Sequence, residues 1–249
     1  MACVLVTGAT GQLGRVLVPA LQAAGHDVRA MTRTAGRVRG AAEVVADLLE
    51  PTSLPAAVSG ADVVLHLASS PRKDAHRTEV AGTGNLLAAR PPGTALVYLS
   101  IVGCDRTPFA YYRAKSAAES LVRAAADAYV VRATQFHGFA GFLARPLPVL
   151  GRAVAPRGAR LQPVAESFVA EVLVASVSAP SEAPAEVAGP EQLELAEIAR
   201  RLSGRRALSV PLPGKLFTAI RRGSLLAGAD ARIGGPPLGG PPPGGPLLG

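Results

Sequence analysis

Ala2 to Val6 is a short apolar run that ends in a glycine cluster, and Leu13, Val16, Leu17, Ala20, Leu21 and Ala24 then recur at helical spacing. The pattern predicts strand, turn and helix, with Pro19 removing one backbone hydrogen bond and kinking the helix mildly. Gly25 closes the helix as a cap, and Val28 to Met31 reads as a second strand. The alternation continues. Glu43 to Ala46 is a short third strand, Leu54 to Ser59 a helical turn, Asp62 to Ala68 a fourth strand, Thr78 to Arg90 a helix and Ala95 to Ser100 a fifth strand. Tyr111 to Ala126 is a long helix and Tyr129 to Arg132 a sixth strand. Strand and helix in strict alternation imply a parallel sheet with right-handed crossovers, here a Rossmann-type, doubly wound α/β domain over residues 1–137.

Beyond His137 the periodicity loosens into Gly, Pro and Arg-rich sequence as far as Pro163, which reads as a lid over a ligand. Helices are expected over Val164 to Ser176, Pro190 to Leu202 and Lys215 to Arg222, with a strand at Ala207 to Val210, so that residues 138–222 form a small C-terminal substrate lobe. Residues 223–249 are expected to be a disordered tail, because Gly234 to Gly249 contains only Gly, Pro and Leu and offers no packing pattern.

Composition agrees with a helix-covered sheet: 49% of residues are hydrophobic and Trp is absent, so Val, Leu, Ile and Ala must fill the core. The net charge of +8 is carried by arginine, the lysines being Lys73, Lys115 and Lys215 alone. The arginines are dispersed and no basic run is interleaved with aromatics, so no nucleic-acid partner is expected. Cys3 and Cys104 make neither a disulfide framework nor a metal-ligand spacing, and a reducing cytoplasm is the expected compartment. No apolar run approaches the ~20 residues that span a bilayer, and neither a leader nor a membrane partner is expected.

The chemistry concentrates after strand ends. Thr7-Gly8-Ala9-Thr10-Gly11-Gln12-Leu13-Gly14 follows the first strand and opens the first helix. Gly8 permits a tight turn, Gly11 close approach of a pyrophosphate and Gly14 close packing of helix on strand, while Thr10, Gln12 and Leu13 complete the loop whose helix N-terminus faces the anion. The second strand ends in Met31-Thr32-Arg33-Thr34, with no carboxylate to bond a ribose 2′-hydroxyl. Arg33 can pair instead with a 2′-phosphate, so NADP(H) is expected in preference to NAD(H).

With the Thr-Gly-Ala-Thr-Gly-x-x-Gly opening go Ala46-Asp47-Leu48, Asp62-Val63-Val64-Leu65-His66-Leu67-Ala68-Ser69, Gly82-Thr83-Gly84-Asn85-Leu86-Leu87, Tyr98-Leu99-Ser100, Tyr111-Tyr112-Arg113-Ala114-Lys115 and Arg132-Ala133-Thr134-Gln135-Phe136-His137. In these stretches the chain resembles the extended and atypical short-chain dehydrogenase/reductases, in particular NmrA-like NAD(P)-binding proteins. The resemblance implies that Asp47 meets the adenine, that Leu48 is also cofactor-binding, that Ala68 and Ser69 lie along the cofactor beyond the pyrophosphate, and that Ser100, Tyr111 and Lys115 form a catalytic set. In that set Tyr111 is the acid/base, Lys115 binds the nicotinamide ribose and lowers the phenol's pKa, and Ser100 orients the substrate oxygen. The chain departs from the family pattern at Glu79, where many extended members carry Asn, and in a short segment between Ser100 and Tyr111.

Gln135 and His137, just past the sixth strand, either contact substrate or bond within their own loop. Arg145, Arg152, Arg157 and Arg160 read as solvated rather than as an anion site. The expected function is therefore an NADP(H)-dependent oxidoreductase or epimerase/reductase of a small carbonyl or hydroxyl compound, the alternative being a non-catalytic NADP(H)-sensing regulator. No metal site is expected, and the sequence leaves substrate identity and oligomeric state open.

Overall fold

The protein is described by a computed structural model covering residues 1–70, 75–145, 151, 153–204 and 206–239. The chain forms two compact units that interleave in sequence. The first comprises Met1–Ser100, Ala110–Arg132 and Val169–Ala185; the second comprises Ile101–Phe109, Ala133–Phe168 and Glu186–Gly249. This differs from the consecutive division into residues 1–137, 138–222 and a tail, because chain segments return to each unit after leaving it.

In the first unit β1 (Cys3–Thr7), β2 (Asp27–Thr32), β3 (Ala42–Val45), β4 (Val63–His66), β5 (Ala95–Ile101) and β6 (Ala128–Ala133) lie in the order β6-β5-β4-β1-β2-β3. The pairs β1–β2, β1–β4, β2–β3 and β4–β5 are parallel. This order reverses beside β1, where open α/β sheets place ligands beyond the strand ends. The strands are apolar on both faces because helices cover them. Leu5, Met31, Val64, Leu96 and Tyr98 pack with Leu54 and Val58 of α2 (Leu54–Val58), Leu86 of α3 (Gly82–Ala89) and Ala118 and Val122 of α4 (Ala110–Ala124). The first helix, α1 (Gly14–Ala23), runs through Pro19 and buries Gly14, Leu17, Val18 and Leu21.

The helix expected at Thr78 to Arg90 has two parts. Arg77–Ala81 is a π-helical turn, and α3 follows it. Such wide turns insert one extra residue per hydrogen bond and reorient the side chains they carry; this one carries the buried Glu79.

The second unit holds α5 (His137–Leu143), β7 (Val154–Pro156), β8 (Arg160–Leu161) and the start of α6 (Glu166–Ser178), which continues into the first unit. It also holds β9 (Glu186–Ala188), β10 (Leu193–Glu194), α7 (Leu195–Ser203), β11 (Leu208–Val210), α8 (Lys215–Arg221) and β12 (Arg232–Ile233). β7 pairs with β11 and β9 with β12 in parallel, while β8 and β10 are antiparallel. The segment expected as an irregular lid thus contains a helix and two short strands; its Arg152, expected to be solvated, lies outside the described residues. Pro190 to Glu194, expected as helix, instead ends in β10, and α7 begins only at Leu195. It buries Leu195, Ile198 and Ala199, carries ion-paired Glu197, Arg200 and Arg201 on its other side, and closes on Gly204 in the left-handed conformation.

The expectation of a disordered tail from residue 223 fails over 223–239. Ser224, Leu225, Leu226 and Leu238 are buried, and the Gly234 N–H donates to the Ala188 carbonyl. Glycine makes the packing possible, since a Cβ on Gly234 or Gly235 would come within 2.6 or 2.7 Å of the Phe168 side chain. The rest of the expected tail, residues 240–249, lies outside the described residues. Among the described residues no helix is long and apolar enough to cross a membrane.

Candidate active site

All the residues implicated in cofactor binding and acid/base chemistry, Ser100 included, fall in the first unit. The loop between β1 and α1 turns at Gly8, whose φ is +69° and where a Cβ would lie 2.7 Å from the Ala68 nitrogen. Gly11 donates its N–H to the Gly8 carbonyl (2.9 Å), and a Cβ on Gly14 would lie 2.4 Å from that same oxygen. A side chain is therefore excluded at Gly8 and at Gly14, and the start of α1 carries no acidic residue in its first turn. Such a backbone cradle at a positive helix terminus fits a pyrophosphate. Thr10 and Gln12 are exposed on the loop and Leu13 is buried beneath it.

Beside the loop, the ends of β1 and β4 are tied through His66. Its Nδ1 lies 2.7 Å from the Thr7 hydroxyl and its Nε2 3.1 Å from that of Thr83, while Ala68 donates its N–H to Thr7 Oγ1 (3.2 Å). Burial first, and the positive charge of Lys115 second, push the His66 pKa down to about 3. The ring is accordingly neutral and acts as a brace between strand ends and α3.

Ser69 leads into a second network centred on Glu79, whose side chain is fully buried. One carboxylate oxygen, Oε1, accepts from the Ser69 hydroxyl (2.6 Å) and the Ser70 N–H (3.1 Å). The other, Oε2, accepts from the Tyr98 hydroxyl (3.0 Å) and pairs with Lys115 Nζ (3.2 Å). Lys115 Nζ also donates to the Leu99 carbonyl (2.8 Å) and lies 4.3 Å from the centre of the Tyr98 ring. Burial, reinforced by Glu79, raises the Tyr98 pKa, which keeps its hydroxyl a donor. Tyr111 reaches this network from α4: its hydroxyl is 2.5 Å from Ser69 Oγ. Because the Ser69 proton points to Glu79, Tyr111 is the donor in that contact. Tyr112, the neighbouring aromatic, is buried instead, with its ring centre 6.1 Å from that of Tyr111.

A sequence profile described as NAD(P)H-binding matches residues 8–137, more than half of the chain. The chain belongs to the NAD(P)H-binding family. An L-arabinose 1-dehydrogenase (NAD(P)(+)) from Haloferax volcanii is 38% identical over 94 residues, which is 36% of this chain and 36% of that protein. Matches to the curated relatives span between 22% and 36% of their lengths. Among solved structures, an NADPH-dependent quinone oxidoreductase from Escherichia coli superposes with a TM-score of 0.75 at 16% identity, covering 90% of this chain and 91% of that one. A short-chain dehydrogenase/reductase superfamily protein from Agrobacterium tumefaciens gives 0.68 at 20% identity, covering 86% of each chain. These structures share the Rossmann-like α/β fold with a parallel sheet that the NAD(P)H-binding chain displays.

Within this NAD(P)H-binding protein the remaining expected contacts divide. Arg33 is exposed just beyond β2, with no carboxylate partner among the described residues. The loop that follows is organised by Glu43 of β3, whose carboxylate accepts the N–H groups of Gly36 (2.5 Å), Arg37 (2.6 Å) and Val38. Those amides, with Val38 foremost, hold the Glu43 carboxyl below its ordinary pKa. Asp47 Oδ1 accepts the Leu49 N–H (2.9 Å), and the buried Leu48 offers its carbonyl to Asn85 (2.8 Å), so both residues shape the turn after β3. Ser100 is buried at the end of β5.

Gln135 and His137 belong to the second unit. Gln135 is buried; its amide donates to the Leu225 carbonyl (3.2 Å) and accepts from the Gln162 N–H (3.2 Å), so it braces that unit. His137 opens α5, with burial lowering its pKa. In the sequence Glu79 stands out only as a departure from the family pattern, and Tyr98 carries no role. A buried acid on a helix that also carries Gly82-Thr83-Gly84 is the available signal, since an ionised side chain facing a core needs a cation.

Proposed function

We propose that the chain is an NADP(H)-dependent oxidoreductase or epimerase/reductase acting on a small carbonyl or hydroxyl compound, with Tyr111 as the group that gives or takes the proton. The observation that supports this reading best is the directed chain Tyr111 to Ser69 to Glu79, with Lys115 closing it. Gly8, Gly11 and Gly14 would cradle the pyrophosphate, Arg33 the 2′-phosphate, and Ala68 and Ser69 would border the nicotinamide half. When bound, the cofactor supplies or takes up hydride at the nicotinamide ring.

Tyr111 then moves the proton. In reduction its O–H turns from Ser69 to the substrate oxygen and delivers its proton there. The phenolate left behind is bonded by the Ser69 hydroxyl, which turns from Glu79 Oε1 to Tyr111, while the Ser70 N–H stays on that carboxylate. Lys115 keeps net positive charge near the phenolate only in part, because Glu79 neutralises it. That pairing favours, as a second reading, a protein that binds NADP(H) and changes partner affinity without turnover.

The test is a panel of aldehydes, ketones, quinones and sugars assayed by nicotinamide absorbance. Tyr111→Phe should lower turnover by ~10² to 10⁴ with cofactor affinity retained, since general acid–base catalysis contributes about that much. Tyr112→Phe should leave it within a few-fold of wild type. Binding of cofactor with no turnover on any substrate would favour the sensing role; full activity in Tyr111→Phe would remove Tyr111 from the mechanism.

A further inference from the structure

The second unit contains a cavity of about 540 Å³ whose lining includes Arg106, Arg160 and Arg222 and no acidic residue. That volume is in the range of small-molecule sites, roughly 300–1,000 Å³. The three arginines come from separate parts of the chain: Arg106 from the segment after β5, Arg160 from β8, and Arg222 from the end of α8. Arg106 is fixed in place, its Nε donating to the Ser224 carbonyl (3.0 Å) and one Nη to that of Leu226 (2.7 Å). These contacts leave the Nη1 edge of its guanidinium without a protein acceptor among the described residues.

Neither Arg160 nor Arg222 forms an ion pair among the described residues, although other arginines do: Arg132 pairs with Glu119, and Arg200 and Arg201 with Glu197. None of the acids around the cavity forms a salt bridge with its three arginines among the described residues. Glu194 stands opposite Arg160 in the β8–β10 register but makes no ion pair with it, and Glu186 is engaged by the N–H of Gly228 (2.7 Å). The rim amides are occupied as well, since Gly223, Ser224, Leu226 and Ala227 donate to Ile220, Ala219, Gly223 and Gln162. The groups left to recognise a ligand are therefore guanidiniums. Three guanidiniums around one concavity favour an anion that can accept their hydrogen bonds, and the planar fork of arginine matches phosphoryl oxygens.

We propose that this cavity is a binding site for a phosphoryl group, as free phosphate or as part of a phosphorylated small molecule, separate in its residues from the glycine loop of the first unit. Binding requires no turnover and so stands apart from the catalytic reading above.

Calorimetric titration of inorganic pyrophosphate into the full chain tests it, comparing wild type with Arg160→Gln/Arg222→Gln and with Arg157→Gln, an exposed arginine outside the cavity. Arg160 and Arg222 are exposed and form no ion pair among the described residues, so the double variant should fold, and its melting curve verifies this. The double variant should bind pyrophosphate at least about tenfold more weakly or lose one of its sites, because charge-assisted bonds are lost. Arg157→Gln should match wild type. If the double variant misfolds, Arg160→Lys/Arg222→Lys, which keeps charge and removes the fork, should show the same weakening. Unchanged pyrophosphate binding in the folded double variant, or an equal loss in Arg157→Gln, would overturn the proposal.

Discussion

Replacing Glu79 with glutamine asks four donors to share one acceptor. In the native protein Oε1 takes the Ser69 hydroxyl and the Ser70 N–H, and Oε2 takes the Tyr98 hydroxyl and Lys115. Whichever way the new amide is turned, its NH2 group faces two other donors. The variant also takes the Glu79 charge away from the buried Lys115, whose side chain is 3% exposed, while its bond to the Leu99 carbonyl and its contact with the Tyr98 ring stay in place. Removing one partner of a buried ion pair costs about 3–5 kcal/mol. At about 2–4 °C per kcal/mol for a domain of this size, the melting temperature should fall by roughly 6–20 °C. Urea unfolding followed by circular dichroism measures the free energy, and Lys115→Met completes a double-mutant cycle. With both charges gone, the double variant should be less destabilised than the sum of the single ones by about 0.5–3 kcal/mol, the usual coupling of contacting residues. The reasoning is refuted by a loss below about 1 kcal/mol in Glu79→Gln, or by strict additivity in the cycle.

Arg33→Ala should erase most of a preference for NADP(H) over NAD(H): a charge-assisted bond of about 1.5–3 kcal/mol corresponds to roughly 10- to 150-fold in affinity. Calorimetry with both cofactors reads it, and an unchanged ratio would take the 2′-phosphate away from Arg33. His66 makes a pH prediction. Its folded pKa is pushed down to about 3 from the ordinary 6.5, so below pH 6.5 the unfolded chain takes up a proton that the folded one refuses. Its contribution to stability is whole above that pH and falls by ~1.4 kcal/mol per pH unit on acidification until the folded group titrates. Urea unfolding of His66→Gln across this window should lack that share of the slope; an identical slope in both proteins would show that His66 is not held neutral.

What the sequence determined by itself is whatever short-range spacing dictates. A glycine loop between an apolar strand and an amphipathic helix announces a tight strand-to-helix turn, because Gly8 and Gly14 answer to steric limits set within one turn. Tyr111 and Lys115 share a helix face by their four-residue separation, and strands buried on both sides announce a parallel sheet. The partners of those side chains were decided only in three dimensions. Glu79 meets Lys115 because a π-helical turn aims it at α4, across 36 positions of sequence, and no local rule specifies that pairing. It also changes the reading of Lys115, from a cation beside a phenol to one half of a buried ion pair. The same holds for Gln135, which stands after a strand end like a substrate ligand yet is engaged by Leu225 and Gln162. Arg160 reads as solvated and is exposed in the structure, and only the fold shows that it lines one cavity with Arg106 and Arg222. Long-range electrostatics and glycine-mediated packing, as at Gly234 against Phe168, depend on which surfaces the chain brings together, and that is a property of the folded molecule rather than of any window along it.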